Sequence, residues 1–502
     1  MKKIVLILML ILPSILVMAQ RDKEWNDFLQ RHNFKEYRQK RNAQFQAYKD
    51  SINKEFAKAM EQRWENYQVF VGQRRPSKPE PDQLPVAPRD TTAQKPIELP
   101  VNEIIPLQQT TPEDQNEQGY LNQPSLSDSL NNLDVFQNVD VNFYMQHINF
   151  NVPVSYEQLV LDGISEKAVS KFWAELASGQ FETYVRQCID QQKQLHLNDW
   201  ALYDMIVSMA AETFPKRYSE QTILAVFVMN QLGLEAKIGR TTNQLIVLMP
   251  AQSTLYTIPY VKFENQPYYI FSLYPQKQQS VASISTYPVS FPSSTHPLDM
   301  NINEPISFVR HPSTVTYTTD FWGEEVPFQV NQNAMDFYSQ YPQVDIVIYA
   351  NAEMSDELKI WSEKQILPVI QDLKYYEAVS VLLYYVQTAF EYATDPSQFG
   401  FEKPFFCEEN FYYAKNDCED RAILLSYLVR NLVGAPIVLL DYPDHIATAV
   451  AFADDTYVTG DYYQINNRKY YVCDPTYIGA NIGEAMPQYR KTKADILMLK
   501  GN

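Results

Sequence analysis

The alternation of apolar and polar residues predicts one long amphipathic helix near the N-terminus. Apolar residues recur there at steps of three and four positions, which is the spacing of one helix face. Such a helix cannot bury its apolar face alone. We therefore expect residues 20–75 to pack on another part of the chain, to self-associate or dock, or to bind an anionic lipid or glycan surface. The recurring residues are Phe45, Tyr48, Ile52, Phe56, Met60, Trp64 and Tyr67.

Proline dominates the segment that follows this helix. Nine prolines between residues 76 and 112 are interleaved with Gln, Asp and Thr. Because this composition cannot form a packed core, residues 76–133 are predicted to be an extended linker. Alternating residues at 139–152 then indicate the first strand of a globular region.

One apolar pattern occurs twice in the globular region. Residues 222–234 match residues 422–434, and residues 266–272 match residues 468–474. The repeat predicts that a helix followed by strands occurs in two copies. Chance similarity between helical and strand patterns is the alternative.

The repeat divides the globular region into three parts. The first copy lies within a unit of residues 139–280, and the second within a unit of residues 346–502. Residues 287–345 between them are predicted to be a connector or small β-module. Strands are expected there near residues 306–319, and a helix at residues 331–339.

A cysteine lies at the start of one helix in the second unit. Asn416 is a good N-cap, acidic residues follow it, and apolar residues continue at helical spacing until Gly434. Cys418 should therefore lie in the first helical turn, where free N–H groups and the helix dipole favour a thiolate. Three neighbouring carboxylates oppose ionisation, so a histidine partner is needed to activate the sulfur.

His445 and Asp474 have the local context of such partners. Residues 437–440 and 445–452 form a predicted hairpin, with His445 at the start of its second strand. Asp474 ends a further strand, because Pro475 cannot continue the hydrogen-bond ladder. A carboxylate at that place can orient an imidazole and stabilise its protonated form.

This order of residues resembles the transglutaminase-like cysteine peptidase superfamily over roughly residues 350–485. The resemblance implies an α+β, papain-like fold in which the catalytic helix packs on an antiparallel sheet. It also implies that Cys418 is the nucleophile, His445 the general base and acid, and Asp474 the orienting carboxylate. Many relatives have an aromatic residue soon after the histidine and a glycine shortly before the cysteine, and this chain has neither.

The first copy lacks all three of these chemical groups. Tyr218 stands opposite Cys418, Asn243 or Gln244 stands opposite His445, and Ser272 stands opposite Asp474. If the repeat is real, residues 139–280 form a degenerate transglutaminase-like domain. Its role would be structural or in binding.

The other cysteines have structural interpretations. Cys407 lies eleven positions before Cys418, and a disulfide between the two would silence the thiol in an oxidising compartment. Cys473 should point to the opposite face from Asp474, because side chains alternate along a strand. Cys188 is expected to be buried on a helix. The aromatic-rich residues 395–416 could line a substrate cleft, act as a lid, or pack on their own domain.

Charge and composition argue against several other functions. The chain carries a net charge of −18, although residues 21–78 hold 14 Lys and Arg against 8 Asp and Glu. An acidic body disfavours nucleic acid, which needs a basic footprint. The six histidines have no metal-ligand spacing, and no phosphate-binding glycine loop occurs, so neither a metal nor a cofactor is expected.

The first nineteen residues resemble an export signal. Lys2 and Lys3 precede an apolar stretch that ends in small residues at a cleavage site. The stretch is shorter than the ~20 residues that a membrane-spanning helix needs. A periplasmic or secreted protein that does not span the membrane is therefore predicted.

These features predict an exported, thiol-dependent enzyme that attacks an amide bond in a protein or peptide, with the cell envelope as one source of substrate. Attack by water on the acyl-enzyme would make it a peptidase or amidase, and the resemblance favours this hydrolysis. Attack by a lysine amine would make it a cross-linking transglutaminase. A hypothesis from another class is a non-catalytic cell-envelope binding scaffold with a vestigial Cys418.

Overall fold

The computed structural model describes residues 34–78, 84–88, 97–105, 136–275, 282–319, 324–413, 415–453 and 458–501. The predicted export signal and most of the predicted linker lie outside these ranges. The fold is mixed α+β, with helices packed on two sheets in which most strand pairs are antiparallel.

The N-terminal helix α1 (Phe34–Met60) is shorter than its apolar pattern predicts. The chain leaves the helix after Met60, and Tyr67 lies on strand β1 (Glu65–Gln68), where it pairs with Ile284. The predicted helical extent to residue 75 is therefore wrong at its C-terminal end. Backbone pairing at a sheet edge and burial of Trp64 against Tyr287, with ring centroids 5.5 Å apart, outweigh the helical periodicity.

The C-terminal half of α1 packs on its own chain. Ser170 Oγ donates to the carbonyl of Ala57 at 2.6 Å, and the Phe56 and Trp173 rings lie 5.1 Å apart. Of the partners expected for the apolar face, the described part of the helix uses another part of the same chain.

Part of the predicted linker forms strands. β2 (Glu98–Leu99) and β3 (Val101–Ile105) pair in parallel with strands of the C-terminal sheet. The segment is therefore not simply a spacer where it is described, because Leu99 is buried in that sheet's core.

The first unit consists of a hairpin, a group of helices and an antiparallel sheet. The elements are β4 (Phe136–Phe143), β5 (Gln146–Pro153), α2 (Glu166–Ser178), α3 (Glu182–Leu195), α4 (Asp199–Thr213), α5 (Tyr218–Gln231), β6 (Lys237–Arg240), β7 (Leu245–Pro250), β8 (Tyr260–Phe263), β9 (Gln266–Phe271) and β10 (Ser283–Thr286). The sheet has the strand order β1-β10-β6-β7-β9-β8. Helix α5 packs on β7 and is buried over most of its length.

The connecting region contains the predicted hairpin and helix. Strands β11 (Pro312–Thr319) and β12 (Glu324–Asn331) pair along their whole length, and α6 (Gln332–Ser339) follows directly. Strand β11 begins at Pro312, later than the predicted start near residue 306. Asn331 caps helix α6 through its side-chain oxygen.

The second unit places its sheet after a second set of helices. The elements are α7 (Ile346–Asn351), α8 (Asp356–Gln365), α9 (Leu367–Ile370), α10 (Tyr375–Thr388), β13 (Glu391–Tyr392), α11 (Asp395–Gln398), α12 (Glu409–Tyr412), β14 (Lys415–Asn416), α13 (Cys418–Leu428), β15 (Ile437–Tyr442), β16 (His445–Ala451), β17 (Tyr462–Ile465), β18 (Arg468–Cys473) and β19 (Ala494–Leu497). The sheet has the strand order β2-β17-β18-β16-β15-β19-β3.

The two sheets share one strand order. β6-β7-β9-β8 follows α5 in the first unit, and β15-β16-β18-β17 follows α13 in the second. The β8–β9 and β17–β18 hairpins both turn through two residues with positive φ, Glu264 and Asn265 in one and Asn466 and Asn467 in the other. Asparagine favours such turns, because it tolerates positive φ.

Candidate active site

Cys418 is the first residue of helix α13. Asp417 is the N-cap, not Asn416 as predicted, and Asp417 and Asp420 bond each other's backbone in a capping box. The Asn416 amide is instead buried, where its oxygen accepts from Arg421 Nε at 2.9 Å. Cys418 nevertheless lies in the first helical turn, as predicted, because Asp417 supplies an acidic cap one residue after Asn416.

The thiol of Cys418 is buried between acidic groups and strand β16. Its sulfur donates to Glu419 Oε2 at 3.1 Å, and the backbone N–H of Ile446 donates to the sulfur. Burial, Glu419 and Asp417 raise the pKa of the thiol well above its ordinary value, and the N–H of Ile446 opposes them. The structure therefore describes a protonated thiol at neutral pH, not a thiolate.

His445 and Asp474 form a buried hydrogen-bonded pair. His445 lies at the start of β16, and Asp474 follows β18 directly, as their sequence contexts predict. The Nε2 and Oδ2 atoms are 2.8 Å apart, which leaves Nδ1 as the ring nitrogen for a second partner. The other carboxylate oxygen of Asp474 accepts from Thr476 N at 2.9 Å, so the carboxylate is held from two sides.

Two tyrosines fix the plane of the imidazole. The Tyr489 ring stacks on His445 with centroids 5.1 Å apart, and Tyr442 lies nearly parallel at 6.3 Å. The sulfur of Cys418 accepts from the N–H of Ile446, the residue that follows His445. The structure thus brings Cys418 to the start of β16, where His445 bonds Asp474.

Gln387 is a positioning residue that the sequence does not reveal. It lies on α10, and its Nε2 donates to the carbonyls of Asp474, Tyr477 and Ala480 at 2.9–3.1 Å. Its Oε1 accepts from Gly479 N at 3.1 Å. One amide therefore holds the loop that carries Asp474, but a glutamine almost ninety residues earlier has no local signal for this role.

A cluster of carboxylates, most of them buried, extends from Glu419, which accepts the hydrogen bond of the thiol. Burial, with a contribution from Glu419, raises the pKa of Asp395 to about 7 and that of Glu402 to about 8. Burial likewise raises the pKa values of Asp417 and Asp420 well above the ordinary range.

Oxygen atoms of these carboxylates lie close enough together to hold a cation. Ligand atoms of Asp395, Glu402 and Glu419 lie within 4.8 Å of one another, as do those of Asp417, Cys418 and Glu419 and those of Asp395, Asp417 and Asp420. Burial disfavours the charged form of Glu419, but the charge of Arg75 in the N-terminal segment and the hydrogen bond from Cys418 lower the pKa of this carboxyl below its ordinary value.

The aromatic-rich segment serves both packing and the site. Phe405, Phe406 and Phe411 are buried, and the rings of Phe411 and Trp361, both in the second unit, lie 4.9 Å apart. The same segment places Asp395 and Glu402 close to Glu419, the carboxylate that accepts from the thiol. Packing on its own unit was one of the expected interpretations, whereas the delivery of the two acids was not foreseen.

All four cysteines are free and buried. Cys407 is not bridged to Cys418, so no disulfide between these two residues blocks the Cys418 thiol in this structure. Cys473 and Cys188 lie in the core on β18 and α3.

The first unit has no thiol, imidazole or carboxylate at the equivalent positions. Tyr218 begins α5 and packs against Tyr274 with ring centroids 4.9 Å apart, Gln244 immediately precedes β7, and Ser272 follows β9. Tyr218 and Ser272 therefore lie at the same element boundaries as Cys418 and Asp474, whereas Gln244 lies one residue before its strand and His445 is the first residue of its own.

Comparison of the chain with protein-family models, with curated proteins and with solved structures finds no match. Among the described residues, no helix combines the length and apolarity needed to cross a bilayer. Function is therefore argued from the geometry of the site.

Proposed function

We propose that the protein is an exported thiol-dependent peptidase or amidase of the transglutaminase-like type, with Cys418, His445 and Asp474 as its catalytic triad. The observation that carries this proposal is the buried 2.8 Å hydrogen bond between His445 and Asp474, formed beside a cysteine at a helix N-terminus. Such a set of nucleophile, base and orienting acid is typical of covalent amide-bond hydrolysis.

In the proposed reaction, His445 Nδ1 takes the thiol proton as the sulfur of Cys418 bonds to the substrate carbonyl carbon. The backbone N–H of Cys418, at the start of α13, then stabilises the oxyanion. The protonated imidazole gives its proton to the leaving amine as the C–N bond breaks. Water, losing a proton to Nδ1, attacks the thioester carbon and releases the acid and the thiol.

The shared strand order supports a further part of the proposal, that the chain contains two copies of a papain-like unit. The second copy would carry the chemistry. The first, with Tyr218, Gln244 and Ser272 in place of the triad, would be a non-catalytic partner that shapes or supports the substrate cleft.

A non-catalytic envelope scaffold is the second candidate. The raised pKa of the Cys418 thiol, caused by burial and by Glu419, favours it, because a protonated thiol is a poor nucleophile. The enzyme proposal requires that Cys418 be uncovered and deprotonated when substrate binds.

The test compares the mature protein with its Cys418→Ala and His445→Ala variants on cell-envelope extracts. The enzyme proposal expects new peptide termini with the native protein and none with either variant. New isopeptide bonds would indicate transamidation instead. The scaffold would be supported if none of the three proteins produced new termini or isopeptide bonds and all three still bound envelope components.

A further inference from the structure

One continuous segment of the N-terminal region pairs with both edges of the sheet in the second unit. We define the closing segment as residues 97–105, which contain β2 and β3. β2 pairs in parallel with β17, and β3 pairs in parallel with β19. Pro100 separates the two strands, and because proline has no N–H to donate to a ladder, the chain can leave one edge there and join the other. The closing segment therefore joins the two edges of one sheet.

Backbone hydrogen bonds hold the closing segment at both of its ends. Tyr462 N of β17 donates to Ile97 O at 3.2 Å, and Met498 N, just after β19, donates to Ile105 O at 3.1 Å. β3 lies close to β17 as well as to β19. A sheet edge that loses its partner exposes a row of unpaired backbone groups, which can pair with an extended chain. Without the closing segment, β17 and β19 would therefore border a groove about one strand wide.

Leu99 anchors the closing segment in the core on one face of this sheet. Of the side chains described in the segment, only Leu99 is buried, whereas Ile104 on β3 is exposed. Leu99 pairs with Tyr463 of β17 and belongs to the same core as Tyr442 and Tyr489. Backbone pairing and one apolar anchor are how a peptide binds by addition to a sheet edge.

The same core contains the aromatic rings that hold His445. Tyr463 Oη donates to Tyr442 Oη at 3.1 Å, and the rings of Tyr442 and Tyr489 stack with centroids 4.6 Å apart. Tyr489 stacks in turn on the imidazole of His445. Tyr463 lies on β17, and Tyr489 lies five residues before the start of β19. Each edge that the closing segment joins therefore leads to one of the rings packed around the imidazole.

We propose that the groove between β17 and β19 is a binding site for one extended strand, that the closing segment occupies it reversibly, and that its occupancy activates the enzyme by holding the stack of Tyr442, Tyr489 and His445. The strand that fits carries an apolar residue followed by proline, as Leu99 and Pro100 do, and pairs in parallel on both sides. The activating role rests on the proposed function, whereas the strand site does not.

The strand site is tested by the binding of a fluorescent peptide with the sequence of residues 96–106 to the full mature chain. Leu99→Asp should free the groove, because an unpaired charge is costly to bury, and this variant should bind the peptide at least about tenfold more tightly than the native chain. Ile104→Asp makes the same change at an exposed position of the closing segment and should bind as weakly as the native chain.

A peptide that carries the Leu99→Asp change itself should not bind. Leu99→Ala, which adds no charge, replaces Leu99→Asp if that variant does not fold, and it should also bind the peptide more tightly than the native chain. Equal binding of the peptide to the Leu99 and Ile104 variants would overturn the strand site.

The activating role is tested by the ring N–H signal of His445 in proton NMR, which is assigned by its loss in His445→Ala. The signal should broaden or disappear in Leu99→Asp and return when the peptide is added, because the peptide restores the stack that holds the ring. In parallel, kcat/KM for peptide hydrolysis should fall at least about tenfold and recover with the peptide. A His445 signal that is unchanged in Leu99→Asp would overturn the activating role.

Cleavage assays separate this inference from the proposed function. Recovery of both the NMR signal and cleavage on addition of the peptide supports both. Cleavage that is equally fast in the native chain and in Leu99→Asp overturns the activating role and leaves the enzyme proposal standing. Recovery of the signal without cleavage by any of the proteins, the native chain included, overturns the enzyme proposal and leaves the strand site standing.

Discussion

At the scale of single residues, the proposed chemistry depends on one buried carboxylate that orients one imidazole. Asp474 accepts from His445 Nε2 and from Thr476 N, so Nδ1 is the ring nitrogen left for a second partner. In the proposed reaction that partner is the thiol, and the carboxylate would stabilise the imidazolium that forms when Cys418 attacks.

Asp474→Asn should lower kcat/KM for peptide hydrolysis by about 10²- to 10⁴-fold, because an amide of the same shape carries no charge and can hold the wrong tautomer. The thermal unfolding midpoint should change little. Asp495→Asn, at an exposed position of β19, serves as the control. Full activity in Asp474→Asn would remove Asp474 from the mechanism.

The buried carboxyl group of Asp395 should make stability depend on pH. The folded-state pKa of Asp395 is about 7, raised from an ordinary value of 3.8 by burial. The folded protein therefore holds a proton that the unfolded chain has lost, and stability falls as pH rises from about 4 to about 7.

Asp395→Asn removes this penalty. Its gain in free energy of unfolding over the native protein should be larger at pH 8 than at pH 5, by about 1–2 kcal/mol. Urea denaturation at the two pH values measures the difference. A gain that is equal at both pH values, or larger at pH 5, would contradict the proposed protonation of Asp395.

At the scale of elements, local signals predict where each triad residue lies, but not what holds it there. An acidic helix start, a hairpin turn and a proline after a strand are all encoded by neighbouring residues, so the positions of Cys418, His445 and Asp474 could be predicted. Gln387 could not, because its contacts are made by the fold and not by a motif. The same holds for Arg75, whose charge lowers the pKa of Glu419 although the two residues are more than three hundred positions apart in sequence.

Gln387→Leu should lower the free energy of unfolding by about 2 kcal/mol, because it leaves buried carbonyls of the Asp474 loop without a donor. It should also reduce kcat/KM, since the loop that positions Asp474 loses its tie to α10. Thr388→Ala is the control, because its hydroxyl bonds only within the helix, to Tyr384 O at 2.9 Å. Comparable losses in both variants would contradict the positioning role.

At the scale of the whole molecule, the N-terminal third of the chain is built into the globular fold wherever it is described. α1 and β1 complete the first unit, whereas β2 and β3 flank the sheet of the second. The apolar periodicity predicts a helix that must pack on some surface, and the proline content predicts a spacer. Neither pattern specifies the surface on which the segment packs, so the contacts with the two sheets could not be predicted.

Phe56→Ala should lower the free energy of unfolding by about 3–5 kcal/mol, because the ring is buried against Trp173, Tyr287 and Phe291. Tyr48→Ala, at a position of the same helix with 62% exposure, should change it by less than about 0.5 kcal/mol. Tryptophan fluorescence during urea unfolding measures both. Equal, small effects would mean that α1 is not part of the core.

The most direct test of the catalytic proposal is covalent labelling of the mature protein with a peptidyl acyloxymethyl ketone, which reacts with base-activated thiols. Peptide mapping by mass spectrometry should find one label per chain, on Cys418, and His445→Ala should slow its attachment at least about tenfold. Labelling spread evenly over the four cysteines, or labelling of Cys418 at the same rate without His445, would contradict the account.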